Sequence, residues 1–284
     1  MVLSLSSKVT LNNGIQMPLL GLGVWQGRPE DGPHVEAAVR TAIEAGYRSI
    51  DTASAYENER GVGRAVRECG VPREEIFVTT KVANPDHGYD KALHAVDRSL
   101  RELDLDYVDL ILIHWPVSVR ASFLDTWRAL EKVYAEGKVK AIGVSNFQIH
   151  HLEKLLGASE VVPAVNQVEY HPLLTQLELH SYCKTKGIQL EAWSPLMLGR
   201  VLEEPVVQEL SERYGRTPAQ IVLRWDLQNG VVTIPKSANP QRIHENADLF
   251  SFELSAADME RLSGLNRNER SGMDPDKFEQ AWSW

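Results

Sequence analysis

Four side chains that could together protonate a carbonyl oxygen occur in the first half of the chain: Asp51, Tyr56, Lys81 and His114. A phenol has a pKa of about 10, and a neighbouring ammonium lowers that pKa by favouring the phenolate. An aspartate would keep the lysine charged and fix its direction, and a histidine could hydrogen-bond the carbonyl oxygen and orient it. Such a set suits hydride addition to an aldehyde or ketone, because it stabilises the oxygen as that atom gains negative charge.

These residues stand at the ends of short apolar runs, and each run is followed by an amphipathic helical pattern. Eight such units succeed one another after a hairpin signal at Asn12-Asn13-Gly14, which separates runs 9–11 and 15–17. The predicted strands are 19–23, 48–51, 76–81, 108–114, 140–144, 165–169, 189–193 and 231–234. The predicted helices are one that ends at Gly46, then 57–69, 89–103, 122–136, 149–156, 177–186, 205–214, 218–228, 240–247 and 256–265.

Strict alternation predicts a parallel sheet, and eight units in roughly 250 residues fit a closed (β/α)8 barrel, a TIM barrel. We expect one α/β barrel domain over residues 1–284, with extra helices and a C-terminal tail from about residue 266. In a barrel the four residues would share the end where strands lead into helices. A doubly wound sheet is the alternative, but its GxGxxG fingerprint is imperfect, because Gly27 comes one residue late after Gly21 and Gly23.

Composition and charge exclude several classes of protein. The chain is 43% hydrophobic and 24% charged, and 30 Lys and Arg against 39 Asp and Glu give a net charge of −9. This is a globular, acidic composition, which disfavours binding to nucleic acid or to an anionic membrane. Cys69 and Cys183 suggest no disulfide framework or metal spacing and are predicted to be packing or surface residues. With no apolar run of about 18 residues and no signal-peptide pattern, we expect a cytoplasmic protein, and with no dimerisation motif we expect a monomer.

Six short motifs resemble those of the aldo-keto reductase superfamily. The catalytic motifs are matched by DTASAY at 51–56, TTK at 79–81 and LIHWP at 112–116, and the cofactor motifs by GVSNF at 143–147, VNQ at 165–167 and IPKS at 234–237. The similarity runs from about Val9 to Asp274 and is closest to the diketogluconate, glyoxal and prostaglandin F synthase-type reductases. It implies an NADPH-dependent carbonyl reductase whose catalytic tetrad is Asp51, Tyr56, Lys81 and His114, with Tyr56 as the general acid.

The resemblance also implies a set of cofactor residues. Ser145, Asn146 and Gln167 would hold the nicotinamide carboxamide, Trp193 would stack on the ring, Ser194 and Leu196 would contact the pyrophosphate, Glu245 and Asn246 would bind adenine, and Gly23, Val24, Trp25 and Ile234 would complete the site. Lys236, Ser237 and Arg242 would grip the adenosine 2′-phosphate. Independently of the family, these donors lie near a helix start at Asn239-Pro240 that favours an anion, which predicts a preference for NADPH over NADH.

Aromatic residues are expected to wall the substrate pocket. By resemblance, Trp25 and Trp115 would flank the substrate beside His114. Ala83 departs from the family, because many members carry an aromatic residue there, and it predicts a more open pocket. The aromatic tail at 277–284 would either line the pocket or pack on the outside of the barrel.

Three alternatives compete with a reductase. A Schiff-base aldolase would use a neutral Lys81, which Asp51 disfavours. A non-catalytic NADP(H)-binding subunit could share the same fold. A catalytic metal is not expected, since no HxH follows an early strand, although isolated candidates for ligands are His150, His151, Glu169 and His171.

Overall fold

A computed structural model describes residues 4–25, 32–116 and 122–278. The strands are β1 (Lys8–Thr10), β2 (Gln16–Pro18), β3 (Leu22–Gly23), β4 (Ser49–Asp51), β5 (Phe77–Val82), β6 (Leu110–Ile113), β7 (Ile142–Ser145), β8 (Val165–Glu169), β9 (Gln189–Trp193) and β10 (Val232–Thr233). The helices are α1 (Gly32–Glu44), α2 (Glu59–Glu68), α3 (Tyr89–Leu103), α4 (Phe123–Ala135), α5 (Ile149–Leu156), α6 (Leu177–Thr185), α7 (Pro205–Tyr214), α8 (Pro218–Gln228), α9 (Pro240–Ala247) and α10 (Ala256–Ser263).

Strands β3 to β10 form one parallel sheet in chain order, and its two ends meet. The closing contacts are parallel bridges from Leu20 to Thr233 and from Gly23 to Lys236. Gly23 must be a glycine there, because a Cβ atom would lie 2.8 Å from the main-chain oxygen of Ile234. The sheet is therefore a barrel, as predicted, and the doubly wound alternative is wrong, because an open sheet would leave its two outer strands apart.

Local signals in the sequence place the helices accurately. At the start of α8, Thr217 Oγ1 accepts a hydrogen bond from the Gln220 N–H at 3.2 Å, and Gln220 Oε1 accepts one from the Thr217 N–H at 2.9 Å. This is the predicted capping box, a device that contributes about 1 kcal/mol. Four 3-10 turns in the described residues were not predicted: Ser54–Tyr56, Arg73–Glu75, Asn84–Asp86 and Met197–Glu203.

The hairpin of β1 and β2 covers the amino-terminal end of the barrel. Leu11 and Met17 are buried in one cluster with the interior residues Phe77, Leu112 and Val232. Because this end is filled by apolar side chains, any ligand must enter at the carboxyl ends of the strands. Within the described ranges, no helix is both long and apolar enough to cross a membrane.

Candidate active site

A buried ion pair lies on two adjacent strands at the open end of the barrel. Lys81 Nζ lies 2.5 Å from Asp51 Oδ1 and donates a second hydrogen bond to the main-chain oxygen of Thr52 at 2.9 Å. The side chains of both ionic partners are at least 95% buried, so water screens the pair little. Buried charges of this kind are stable only when they are paired and hydrogen-bonded.

Tyr56 and His114 complete the predicted tetrad around Lys81. The turn that carries Tyr56 is fixed to β5 by Ser54, whose hydroxyl donates to the main-chain oxygen of Lys81 at 2.9 Å, and it ends at Glu57 in the left-handed region. Lys81 Nζ lies 5.2 Å from the centre of the Tyr56 ring, and this ring meets His114 edge to face at 5.7 Å. The structure thus brings together all four predicted residues.

The pKa values of the tetrad are set by burial and by Lys81. Burial raises the pKa of Tyr56, and this outweighs the lowering by Lys81, so the net shift is opposite to the effect expected from the ammonium alone. Burial and the positive charge of Lys81 hold the pKa of His114 well below its usual range. Burial lowers the pKa of Lys81, but attraction to Asp51 and Tyr56 outweighs it and raises the pKa overall, which keeps the amine charged and disfavours a Schiff-base role.

Gln167 extends the hydrogen-bond network across the barrel axis. Its Nε2 donates to Asp51 Oδ2 and to Glu191 Oε2, each at 2.7 Å. Both amide hydrogens are therefore used, and the carbonyl oxygen is left as the part of the side chain that can accept from a ligand. The Ser145 hydroxyl donates to the main-chain oxygen of Gln167 at 2.9 Å, which ties β7 to β8 at this level.

Asn146 joins the same network to the aromatic residue on β9. It has a positive φ of 65°, and its Nδ2 donates to the main-chain oxygen of His114 at 3.0 Å and to Ser145 Oγ at 3.1 Å. Its Oδ1 accepts from Trp193 Nε1 at 2.8 Å. The donors of Ser145 and Asn146 are thus used within the protein.

Two cations lie where the sequence predicts a phosphate site. Lys236 and Arg242 are exposed, and neither forms an ion pair within the described parts of the chain. Asn239 caps α9 by accepting from the Arg242 N–H at 3.1 Å, and Ser237 Oγ accepts from the Asn239 N–H at 3.1 Å. Unpaired cations at a helix N-terminus, together with the acceptor on Gln167, fit the two ends of a nicotinamide dinucleotide phosphate.

The remaining predicted cofactor residues differ in exposure. Trp25 is 53% exposed beside the barrel mouth, whereas Val24 is buried and its N–H donates to the main-chain oxygen of Asp51 at 3.1 Å. Ser194 Oγ lies 3.2 Å from Ser271 Oγ, at hydrogen-bond distance. Buried or partly buried positions are held by Leu196, Ile234, Glu245 and Asn246.

Hydrogen bonds to Glu169, which we call the clasp, hold the C-terminal chain over this site. The sequence did not reveal them. Glu169, at the end of β8, is fully buried and accepts hydrogen bonds from the N–H and hydroxyl of Ser271, each at 2.5 Å, and from the Gly272 N–H at 3.1 Å. His171 lies 3.1 Å from the same carboxylate. A methyl group on Gly272 would overlap the Trp193 ring, so only glycine permits this approach. The sequence signal for the clasp was an acid at the end of the predicted strand 165–169.

The end of the described chain reaches the predicted substrate wall. Phe278 stacks on Trp115 with ring centres 4.2 Å apart and planes 9° apart. Part of the tail therefore lies against Trp115, the predicted pocket wall, whereas Trp282 and Trp284 fall outside the described residues. Ala83 is partly buried and directly precedes a short turn, and it adds no aromatic wall.

One histidine cluster has donor atoms close enough to invite comparison with a metal site. Ligand atoms of His150, His151 and Asp276 lie within 4.8 Å of one another. However, His151 Nδ1 accepts from the Gln148 N–H at 3.1 Å as part of the cap of α5. A neutral imidazole in that role carries its proton on the other nitrogen, so His151 cannot ligate a metal without breaking the cap.

Comparison with known proteins identifies the family of the chain. The model of the aldo/keto reductase family matches residues 19–267. The chain belongs to this family. It is 56% identical over 275 residues to a glyoxal reductase of Bacillus subtilis (strain 168), covering 97% of this chain and 98% of that one. It is 47% identical to the methylglyoxal reductase DkgA of Escherichia coli (strain K12), covering 95% and 97%, and 53% identical to a 9,11-endoperoxide prostaglandin H2 reductase of Trypanosoma cruzi (strain CL Brener), covering 95% of both.

Solved structures agree with the family assignment. A Bombyx mori aldo-keto reductase in complex with NADP superimposes with a TM-score of 0.90 at 35% identity, and the match covers 96% of both chains. An aldo-keto reductase from a deep-sea metagenome library gives 0.90 at 45% identity, covering 94% of this chain and 98% of the other. Family membership confirms the predicted oxidoreductase chemistry, carbonyl reduction with NADP(H) as cofactor, on the predicted barrel.

Proposed function

We propose that this protein reduces small aldehydes and ketones, with α-dicarbonyls such as glyoxal and methylglyoxal as the favoured class. The observation that carries the proposal is the convergence of Asp51, Lys81, Tyr56 and His114 at the open end of the barrel. Two of the similar proteins are named for glyoxal and methylglyoxal reduction, which supports the choice of substrate class. The partly open wall at Ala83 is compatible with carbonyl compounds larger than these.

NADPH supplies the hydride that adds to the carbonyl carbon when it is bound. Tyr56 donates its hydroxyl proton to the carbonyl oxygen as that oxygen gains negative charge. Lys81 stabilises the phenolate that remains, and Asp51 keeps Lys81 charged and in place. His114 is neutral, because its pKa is lowered, and it orients the carbonyl oxygen by a hydrogen bond.

The cofactor is proposed to lie along the strand ends from β7 round to β10. The carboxamide of the nicotinamide would meet Ser145, Asn146 and Gln167, the last as an acceptor, and Trp193 would stack on the ring. The 2′-phosphate would bind Lys236, Ser237 and Arg242. The rest of the cofactor would contact Gly23, Val24, Trp25, Ser194, Leu196, Ile234, Glu245 and Asn246.

The substrate would lie between Trp25 and Trp115, with His114 beneath it. The stacking of Phe278 on Trp115 extends this wall and supports a role for the tail in shaping the pocket. We further propose that the chain acts as one barrel domain and as a cytoplasmic monomer. The free thiols of Cys69 and Cys183 are compatible with a reducing compartment, and analytical ultracentrifugation would test the monomer.

The test of this function is NADPH consumption with a panel of aldehydes, ketones and α-dicarbonyls. We expect the α-dicarbonyls to give the highest kcat/KM. Tyr56→Phe should lower kcat by roughly 10²- to 10⁴-fold while the Kd for NADPH stays unchanged, because the lost group acts on the carbonyl. A wild-type protein that binds NADPH tightly and turns over none of these compounds would instead favour a non-catalytic NADP(H)-binding role.

A further inference from the structure

A buried glutamate outside the tetrad lies inside the barrel beneath the site. Glu191 is on β9, two residues before Trp193, so both side chains point to the barrel interior. It is fully buried, and among the described residues its only hydrogen-bond partner is Gln167, through Oε2. The same amide nitrogen of Gln167 also bonds Asp51, so one side chain connects Glu191 to the tetrad.

Glu191 determines which end of the Gln167 amide is left for a ligand. Nε2 stands between two carboxyl oxygens, each 2.7 Å away, and gives one hydrogen to each. A rotated amide would place its own oxygen against the Asp51 carboxylate, where the lone pairs repel, and would break the hydrogen bond that Nε2 now gives to Glu191. Without Glu191, one hydrogen of the amide would be buried without an acceptor, so the observed orientation would keep only its hydrogen bond to Asp51.

We propose that Glu191 is a positioning residue, which holds Gln167 so that its carbonyl oxygen accepts a hydrogen bond from the carboxamide N–H of the nicotinamide. The inference rests on the proposed NADPH site and adds to it a residue that does not touch the cofactor. Glu191 also keeps Gln167 bonded to Asp51 and therefore supports the orientation of Asp51 toward Lys81.

The charge state of Glu191 is compatible with this role. Burial, and then the negative charge of Asp51, raise the pKa of Glu191 to about 8, while Gln167 and Lys81 oppose the shift. Near neutral pH the group is therefore mostly protonated, and its carbonyl oxygen still accepts from Gln167. Because Glu191 is neutral in this state, it does not place a second buried negative charge beside the Asp51–Lys81 pair.

The experiment compares two cofactors that differ only in the carboxamide. The probes are NADPH and its 3-acetylpyridine analogue, whose methyl ketone has no N–H to donate. We expect the wild type to bind NADPH more tightly than the analogue by roughly three- to tenfold, as measured by quenching of tryptophan fluorescence. Glu191→Met should abolish this preference by weakening NADPH binding, and Glu191→Gln should restore it, because its amide oxygen can accept from Gln167.

The matched control is Glu59→Met, which removes another buried glutamate, one that bonds Thr80 from α2 outside the barrel. It should leave the cofactor preference unchanged. If Glu191→Met does not fold, Gln167→Met removes the acceptor oxygen directly and must abolish the preference. A preference retained in Glu191→Met overturns the inference alone. A preference retained in Gln167→Met also overturns the proposed contact of Gln167 with the carboxamide, and a wild type that fails to bind NADPH overturns the proposed function as well.

Discussion

The two ends of the proposed cofactor site are built in opposite ways. At the barrel axis, Lys81, Asp51 and Gln167 are buried and direct their hydrogen bonds at one another. At the rim, Lys236 and Arg242 are exposed and have no ion pair in the described parts of the chain. The inner cluster is therefore organised before any ligand arrives, and the outer cations are available to an incoming phosphate. Substitutions should accordingly affect stability and catalysis at the first end, and affinity alone at the second.

The largest effect is expected from Lys81→Met, because it leaves the buried Asp51 carboxylate without its counter-ion. Breaking a buried pair in this way should lower the free energy of unfolding by about 3–5 kcal/mol. Removal of the group that stabilises the phenolate should also lower kcat by roughly 10²- to 10⁴-fold. Urea denaturation and single-turnover kinetics measure the two losses separately.

The double variant Lys81→Met/Asp51→Asn is the matched control for that experiment. It removes both charges, so most of the lost stability should return while activity stays low. If the double variant is as unstable as Lys81→Met alone, the uncompensated charge is not the cause. If it regains activity, the proposed role of Lys81 is wrong.

At the rim, Lys236→Ala should weaken NADPH binding by roughly tenfold and leave NADH binding nearly unchanged, since a hydrogen bond to a charged group is worth about 1.5–3 kcal/mol. The unfolding free energy should not change, because the side chain is exposed. Isothermal titration at two salt concentrations checks both statements. Lys8→Ala, a lysine of the hairpin at the opposite end of the barrel, is the control and should affect neither cofactor. If Lys236→Ala weakens the binding of NADPH and NADH equally, Lys236 does not contact the 2′-phosphate.

The features that the sequence could reveal are those set by residues close together in the chain. The strand–helix units and the cap at Thr217 depend on residues a few positions apart, so pattern and spacing predict them. The tetrad was predictable because each member follows a strand or a nearby turn in a recognisable motif. The clasp of Glu169 on Ser271 joins residues 102 positions apart, and no local pattern indicates that contact.

Depth inside the barrel was the second quantity that the sequence did not provide. The effect of Lys81 on Tyr56 was predicted correctly in direction, but burial of the phenol outweighs it. Likewise, the residue types alone gave no reason to connect Glu191 with Gln167, because that contact depends on the register of β8 and β9, where the two residues are partners. Functional groups at strand ends were therefore easier to predict than the groups beneath them.

A smaller effect is expected where the tail meets the substrate wall. Phe278→Ala removes the ring stacked on Trp115 and should raise the KM of bulky aldehydes by roughly three- to tenfold, since an aromatic pair is worth about 0.5–1.5 kcal/mol beyond its buried area. The Kd for NADPH should stay unchanged. Truncation after Pro275 should act in the same direction. An unchanged KM in both variants would mean that the tail does not line the pocket.

A substitution at Ala83 should increase the selectivity of the enzyme for small aldehydes over bulky ones. Ala83→Trp restores the aromatic residue that many family members carry, so the pocket should become narrower. Turnover of bulky aldehydes should fall by a few-fold relative to that of small ones, in line with the modest discrimination that one apolar contact provides. The ratio of kcat/KM for a small and a bulky aldehyde measures this change. Selectivity equal to that of the wild type would place residue 83 away from the substrate.

A further effect is expected in the pH dependence of stability, and it concerns the deepest acid of the site. Burial in the folded protein raises the pKa of Glu191 to about 8, from an ordinary value of 4.5. Between these values the folded chain binds a proton that the unfolded chain has lost, so the contribution of Glu191 to stability is present at low pH and is lost as pH rises toward 8.

The Glu191→Gln variant tests this, because its side chain cannot titrate. Its free energy of unfolding should fall less than that of the wild type as pH rises over this interval. Because Asp226, His87 and His151 also have shifted pKa values in both proteins, only the difference between the two urea-denaturation series isolates Glu191. If the free energies of unfolding of the two proteins change in parallel with pH, Glu191 is ionised in the folded protein. The inner cluster then carries two negative charges against the single positive charge of Lys81.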